Sequence, residues 1–107
     1  MDINRKKAYF SLMNVEERRA FSNLTLNRQT KAGQPGSAAF IRKLVYGVLE
    51  NKIYLDYLIQ QLIKTKVESL DSSCKTILRM GIYQLKEMDS VPEYAAVRES
   101  VDLAKRY

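Results

Sequence analysis

The residues best placed to do chemistry are cations and an aromatic ring near the start of the chain. Arg5, Lys6 and Lys7 stand together, Phe10 follows one helical turn later, and Arg18 and Arg19 come after the same segment. Cations hold phosphates, and an exposed ring can stack on an unpaired base for about 1–3 kcal/mol. These six residues are the candidate RNA-contacting set. Lysines near a helix amino terminus oppose the macrodipole slightly, so a purely stabilising role for Lys6 and Lys7 is disfavoured. The other reading is a solvated basic face, with Phe10 packed on a neighbouring helix.

Bond-making chemistry has little to work with. The 107 residues include no histidine and a single cysteine, Cys74. A Ser-His-Asp or Cys-His centre therefore cannot be assembled from this chain, and no cysteine cluster can hold zinc. No catalytic or metal-binding residue is assigned. A lone cysteine at a helical position reads as a small buried apolar residue, and its isolation suits a reducing compartment, so a cytoplasmic location is expected. No P-loop, dinucleotide fingerprint or nucleophile elbow occurs, nor any recognisable S-adenosylmethionine site. Gly33-Gln34-Pro35-Gly36 has the GxxG form that KH domains use on nucleic-acid backbones, but the flanking strands of that fold are missing, and it reads as a loop between helices. Most of the seven tyrosines read as core or rim residues of helices, and no site is assigned to them.

Charge agrees with a polyanionic partner. The net charge is +6, and residues 1–31 supply +4 of it, from seven basic side chains (the five above with Arg28 and Lys31, counting Arg5 to Arg19) against Asp2, Glu16 and Glu17. The longest apolar runs, such as residues 44–49, fall far short of the ~20 residues of a membrane helix, and the amino terminus lacks a signal-peptide pattern. No membrane partner is expected.

The elements that position these residues read as helices throughout. Ala8, Tyr9, Leu12 and Met13 form one stripe behind an Asn4 cap, placing Lys6, Lys7, Phe10 and Asn14 on the opposite face. A second helix spans about Phe21 to Lys31 with Leu24 inward. After the glycine-proline break, Ser37 caps a third with Phe40, Ile41, Leu44, Val45, Val48 and Leu49 on one side. Asn51 and Lys52 mark a kink, and Leu55, Leu58, Ile59, Leu62 and Ile63 form the fourth stripe. Asp71 caps a fifth whose stripe is Cys74, Ile77, Leu78, Gly81, Ile82 and Leu85. A turn through Pro92 leads to a sixth with Tyr94, Val97, Val101 and Ala104, widened by Leu103. Gly47 and Gly81, inside helices, mark close approaches. The expectation is a compact all-α bundle of about six helices in one domain, residues 1–107.

Three stretches then combine into a pattern: Leu44-Val-Tyr-Gly-Val-Leu49 with Tyr54-Leu-Asp-Tyr-Leu-Ile59, Ile77-Leu-Arg-Met-Gly-Ile-Tyr-Gln-Leu85, and Val91-Pro-Glu-Tyr-Ala-Ala-Val97 with Glu99 and Val101-Asp-Leu-Ala-Lys105. Together they resemble the NusB superfamily over nearly the whole chain. The match is closer to the amino-terminal NusB-like domain of RsmB (Sun/Fmu) type ribosomal-RNA cytosine-C5 methyltransferases than to the free-standing antitermination factors, which usually read Tyr-Glu-Leu where this chain has Tyr83-Gln84-Leu85. The resemblance implies a NusB-like fold that binds ribosomal RNA, with Arg5, Lys6 and Lys7 matching the family's basic first helix. It also implies a downstream methyltransferase domain in the same polypeptide, which would hold the catalytic cysteines and S-adenosylmethionine, none of it in this chain. Arg98 stands where the family commonly has Asn, and Ser72 where it commonly has Pro. The family's further last helix is absent. The chain is thus expected to be an amino-terminal piece of a longer protein, with apolar surface near Val97, Val101 and Leu103 left for flanking sequence or a homodimer. An antitermination factor and a spacer without RNA affinity stay open as alternatives.

Overall fold

A computed structural model describes residues 2–18, 26–28, 30–33 and 35–107, with Arg18 described through its backbone alone. Among them five α-helices follow one another: α1 (Ile3–Arg18), α2 (Ala38–Glu50), α3 (Lys52–Leu62), α4 (Ser72–Glu87) and α5 (Glu93–Arg106), with a 3-10 turn at Val67–Ser69 before α4. Residues 26–28 are helical as well, and no described residue is in a strand. The expected second helix, with Leu24, otherwise lies outside the described residues. The all-α expectation stands.

Helix starts follow local chemistry. Ser37 Oγ accepts the Phe40 N–H at 3.2 Å, and Asp71 Oδ1 accepts the Cys74 N–H at 2.8 Å, each satisfying one of the unpaired amides that open a helix. At α1 the cap is Asp2, whose carboxylate accepts the Asn4 N–H at 3.0 Å, and not Asn4 as the spacing suggested. Asn4 Oδ1 instead accepts the Ser37 N–H at 2.7 Å and ties the two helix starts together. Asn51 breaks α2 from α3: its backbone N–H and its side-chain amide both donate to the Gly47 carbonyl.

One cluster of buried side chains joins the elements. It includes Ala8, Tyr9 and Leu12 of α1, Leu26 of the stretch between α1 and α2, then Ile41, Leu44, Val45 and Val48 of α2, Leu55 of α3, Met80 and Tyr83 of α4, and Leu103 of α5. Each buried aliphatic side chain contributes about 1.5–3 kcal/mol. Both helical glycines sit at close approaches, as their positions suggested. A Cβ on Gly47 would overlap the Tyr83 ring, and one on Gly81 would lie 2.8 Å from Ser100 Oγ. Polar residues stitch the same interfaces. Arg79, 5% exposed in its side chain, donates to both Asp56 carboxylate oxygens at 2.7 and 2.8 Å and to Glu16 at 2.8 Å, and Lys52 reaches the same Glu16 oxygen at 2.6 Å. Burial works against both ions. The partners outweigh it, holding the Glu16 carboxyl below and the Arg79 guanidinium above their ordinary values.

The apolar stripes of α4 and α5 are turned relative to the sequence reading. On α4 the buried face is Thr76, Ile77, Arg79, Met80, Tyr83 and Gln84, while Leu78, Gly81 and Ile82 are half-buried and Leu85 is exposed. On α5 the buried residues are Ala96, Glu99 and Leu103, and Tyr94, Val97, Val101 and Ala104 face outward. The inward polar groups are tolerated because they are paired. Gln84 donates to the Met80 carbonyl and accepts from Arg5, and Glu99 accepts the Asp2 N–H at 3.0 Å. Two smaller corrections accompany this. Leu62, expected inward, is an exposed residue at the end of α3, and Cys74, expected to be buried, is half-buried.

Candidate nucleic-acid interface

α1 is packed over more of its circumference than a two-residue stripe suggests. It lies against α2 on one side and α4 on the other, so Arg5, Lys7, Ala8, Tyr9, Ser11 and Leu12 are all buried. This separates the three cations that the sequence placed together. The Arg5 side chain, on the α4 side, donates from Nε to Gln84 Oε1 at 2.6 Å, pairs with Asp2 and stacks its guanidinium over the Phe40 ring at 5.0 Å. Lys7, on the other side, donates from Nζ to the Pro35 carbonyl at 2.6 Å. Both are thus committed to holding α1 in place: only 8% of Arg5 and 7% of Lys7 is exposed. The sequence reading placed Lys7 on the outer face, opposite the apolar stripe; the structure turns it inward, because the loop before α2 closes over that side.

That loop is the GxxG stretch. Gly33 and Gly36 take positive φ values of 89° and 99°, the left-handed conformation that glycine adopts without strain. Gly36 packs against the Asn4 side chain, where a Cβ would collide. Its geometry serves the join between loop and α1. Gln34 lies outside the described residues.

Lys6 and Phe10 remain on the outer strip of α1. They are four residues apart and hence neighbours on the helix surface. Lys6 is half-buried and Phe10 is 38% exposed. Beside them comes a partner the sequence reading missed. Tyr107 stacks on Tyr9 with ring centroids 5.0 Å apart and an interplanar angle of 20°, and it meets Phe10 edge-on at 5.2 Å. Tyr9 and Phe10 are themselves 5.5 Å apart. The Tyr9 hydroxyl is fixed by Ser73 Oγ at 2.8 Å. The ring cluster therefore has a rigid buried member and two members that reach the surface. Arg106, exposed, precedes Tyr107. Phe10 and Tyr107 form an accessible ring pair, with Lys6 one turn from Phe10 on α1 and the exposed Arg106 next to Tyr107 in sequence, groups suited to an unstacked base and a phosphate. Only the long-range join of α5 to α1, through Glu99 and Asp2 at one end and these rings at the other, brings Tyr107 there. The local signal at positions 105–107 was merely a basic helix end.

The Arg18 side chain and all of Arg19 lie outside the described residues. Arg28 and Lys31 are exposed. Among the described residues no group of His, Cys, Asp and Glu is placed to hold a metal ion, and no helix is long and apolar enough to cross a membrane.

The NusB family model matches residues 2–107. The chain is 33% identical over 97 residues to "Probable ribosomal RNA small subunit methyltransferase B" of Bacillus subtilis, covering 89% of this chain and 22% of that protein. It is 34% identical to the protein of the same name from Synechocystis, covering 94% and 23%. "Transcription antitermination protein NusB" of Bacillus licheniformis is 33% identical over 106 residues, covering 96% of this chain and 79% of that protein. The chain thus spans less than a quarter of the methyltransferase relatives. No solved structure matches. A family model matching almost every residue, a fold built of helices alone, and relatives aligned along α1 to α5 agree: this chain belongs to the NusB family.

Proposed function

We propose that the chain is an RNA-binding auxiliary domain that positions small-subunit ribosomal RNA for a separate cytosine-C5 methyltransferase domain. The observation that carries this reading is the ring cluster of Tyr9, Phe10 and Tyr107, with its inner member hydrogen-bonded to Ser73 and its two outer rings at the surface, on a chain of net charge +6 with Lys6 one turn from Phe10 and Arg106 next to Tyr107 in sequence. The names of the Bacillus and Synechocystis relatives support the methyltransferase setting. The domain contributes attraction and orientation, with no bond-making step. Arg5 and Lys7 hold α1 in place through Gln84 and the Pro35 carbonyl, and Arg18 and Arg19 follow α1's basic run in the sequence. S-adenosylmethionine and the reacting cysteines belong, in this reading, to the catalytic domain.

A second reading, an antitermination factor, is favoured by one observation: the chain covers 79% of the Bacillus licheniformis antitermination protein. The two separate on whether the whole polypeptide carries a methyltransferase domain and methylates small-subunit ribosomal RNA.

The test is fluorescence anisotropy with single-stranded and hairpin fragments of small-subunit ribosomal RNA across a salt series. For single strands, log affinity falls against log salt with a slope of about −0.7 per phosphate contact, so Lys6→Ala/Arg106→Ala should make the slope shallower by about 1.4. Phe10→Ala should weaken binding by roughly five- to 150-fold at every salt concentration, as loss of one stacking partner worth about 1–3 kcal/mol predicts. Binding that is absent at low salt, or identical in all variants, would leave the domain as a spacer without RNA affinity.

A further inference from the structure

α3 is joined to the bundle by fewer apolar side chains than α2 before it. Its buried residues are Leu55 and Ile59, and of these Leu55 alone belongs to the central cluster, to which α2 contributes Ile41, Leu44, Val45 and Val48. Ile53, Tyr57 and Leu62 are exposed. The Asn51 side chain does not cap the first turn but reaches back to the Gly47 carbonyl, so the opening amides of α3 gain nothing from it. The backbone is non-helical at Asn51 and extended at Ile63 and Lys66, which gives α3 a joint at each end.

Polar ties supply the rest of its attachment. Lys52 and Asp56, one turn apart on α3, both reach other helices. Arg79 of α4 donates to both Asp56 oxygens and to Glu16 of α1, and Lys52 pairs with the same Glu16 oxygen. At the far end the Gln60 side chain donates to the Thr65 carbonyl at 2.8 Å and accepts the Val67 N–H at 2.9 Å, which joins α3 to the chain that follows it. An ionic network releases differently from an apolar contact. On separation its ions regain hydration, which offsets part of the lost pairing, whereas separated apolar surface regains nothing. We propose that α3 opens as a unit from an otherwise folded domain, and that the network of Lys52, Asp56, Glu16 and Arg79 is the latch that sets how often it opens. Opening bares Leu55 and Ile59 beside the already exposed Ile53 and Tyr57, and it frees Glu16, near the end of α1, from Lys52. The latch is separate from the RNA-binding reading and does not depend on it.

Native-state hydrogen exchange of the 107-residue chain, followed amide by amide in low concentrations of urea, tests this. The α3 amides from Asp56 to Leu62 should exchange faster, and with a shallower urea dependence, than the central amides of α2 and α4, because a local opening exposes less surface than unfolding. Asp56→Asn removes the charge behind two hydrogen bonds and leaves Arg79 paired with Glu16. It should speed exchange in α3 by roughly ten- to a hundredfold, the worth of hydrogen bonds to a charged group. Ile77→Val is the control, because Ile77 is buried on α4 facing α5. It should speed the central α4 amides by roughly two- to twelvefold and leave α3 unchanged, since those amides need the whole domain to unfold and α3 does not. If Asp56→Asn does not fold, Lys52→Ala reads the latch instead, with a smaller acceleration of α3. Three results overturn the proposal: α3 amides that share the rates and urea dependence of α4; α3 amides that Ile77→Val speeds as much as those of α4; or α3 rates that neither latch variant changes.

Discussion

Arg5→Ala should damage the fold and Lys6→Ala should not, although the two residues are adjacent in the same basic run. Arg5 supplies the Nε–H that Gln84 Oε1 accepts, and Gln84 is 2% exposed. Removing the donor leaves a buried acceptor without a partner, which costs about 1–3 kcal/mol. The guanidinium over Phe40 contributes about 0.5–1 kcal/mol more, and the partly exposed pair with Asp2 less than about 1 kcal/mol. The expected loss is about 2–4 kcal/mol, or roughly 8–16 °C in Tm for a chain of this size. Lys6→Ala, at the surface, should stay within about 0.5 kcal/mol. Urea unfolding followed by the helical circular dichroism signal measures both. Gln84→Leu placed on the Arg5→Ala background should recover part of the loss, because removing both members of a buried polar pair costs less than orphaning one. The reasoning fails if Arg5→Ala unfolds with the parent chain, or if it abolishes RNA binding at unchanged stability, for then Arg5 faces the ligand.

Two further outcomes follow from the packing. Gly47→Ala gains helix propensity of up to about 1 kcal/mol but drives a methyl group into the Tyr83 ring, so a net destabilisation of about 1–2 kcal/mol is expected in thermal melts, relieved by Tyr83→Leu. The Arg79 cluster should make stability acid-sensitive. Burial opposes ionised Glu16, but Lys52 and Arg79 together hold its folded value below the ordinary 4.5, so its contribution is present above that pH and is lost as pH falls through the folded value. The difference in unfolding free energy between the parent chain and Glu16→Gln should therefore be steady near neutrality and close below pH 4.5.

Much of this protein is legible locally. The caps Ser37 and Asp71, the break at Asn51 and the helical periods rest on interactions within a few residues, and the structure bears them out. Gly47 and Gly81 announced close approaches because a glycine inside a strong helical pattern weakens it and is retained for space. The family resemblance drew on the same short runs, and the NusB match over residues 2–107 agrees with it. What local sequence could not decide was which face of a helix turns inward. Periodicity ranks faces by apolarity, but burial is set by how many neighbours a helix has and by whether polar groups find partners. α1 meets helices on both sides, so Arg5 and Lys7 are buried with hydrogen bonds to Gln84 and Pro35. On α4 and α5 the face chosen for the interior includes Gln84, Arg79 and Glu99, each satisfied from a distant element, while the more apolar residues of the last two stripes line an open groove. The candidate interface divides in the same way. Lys6 and Phe10 are neighbours by helical spacing alone, whereas Tyr107 meets Phe10 only because α5 is anchored to α1 across more than ninety residues of chain.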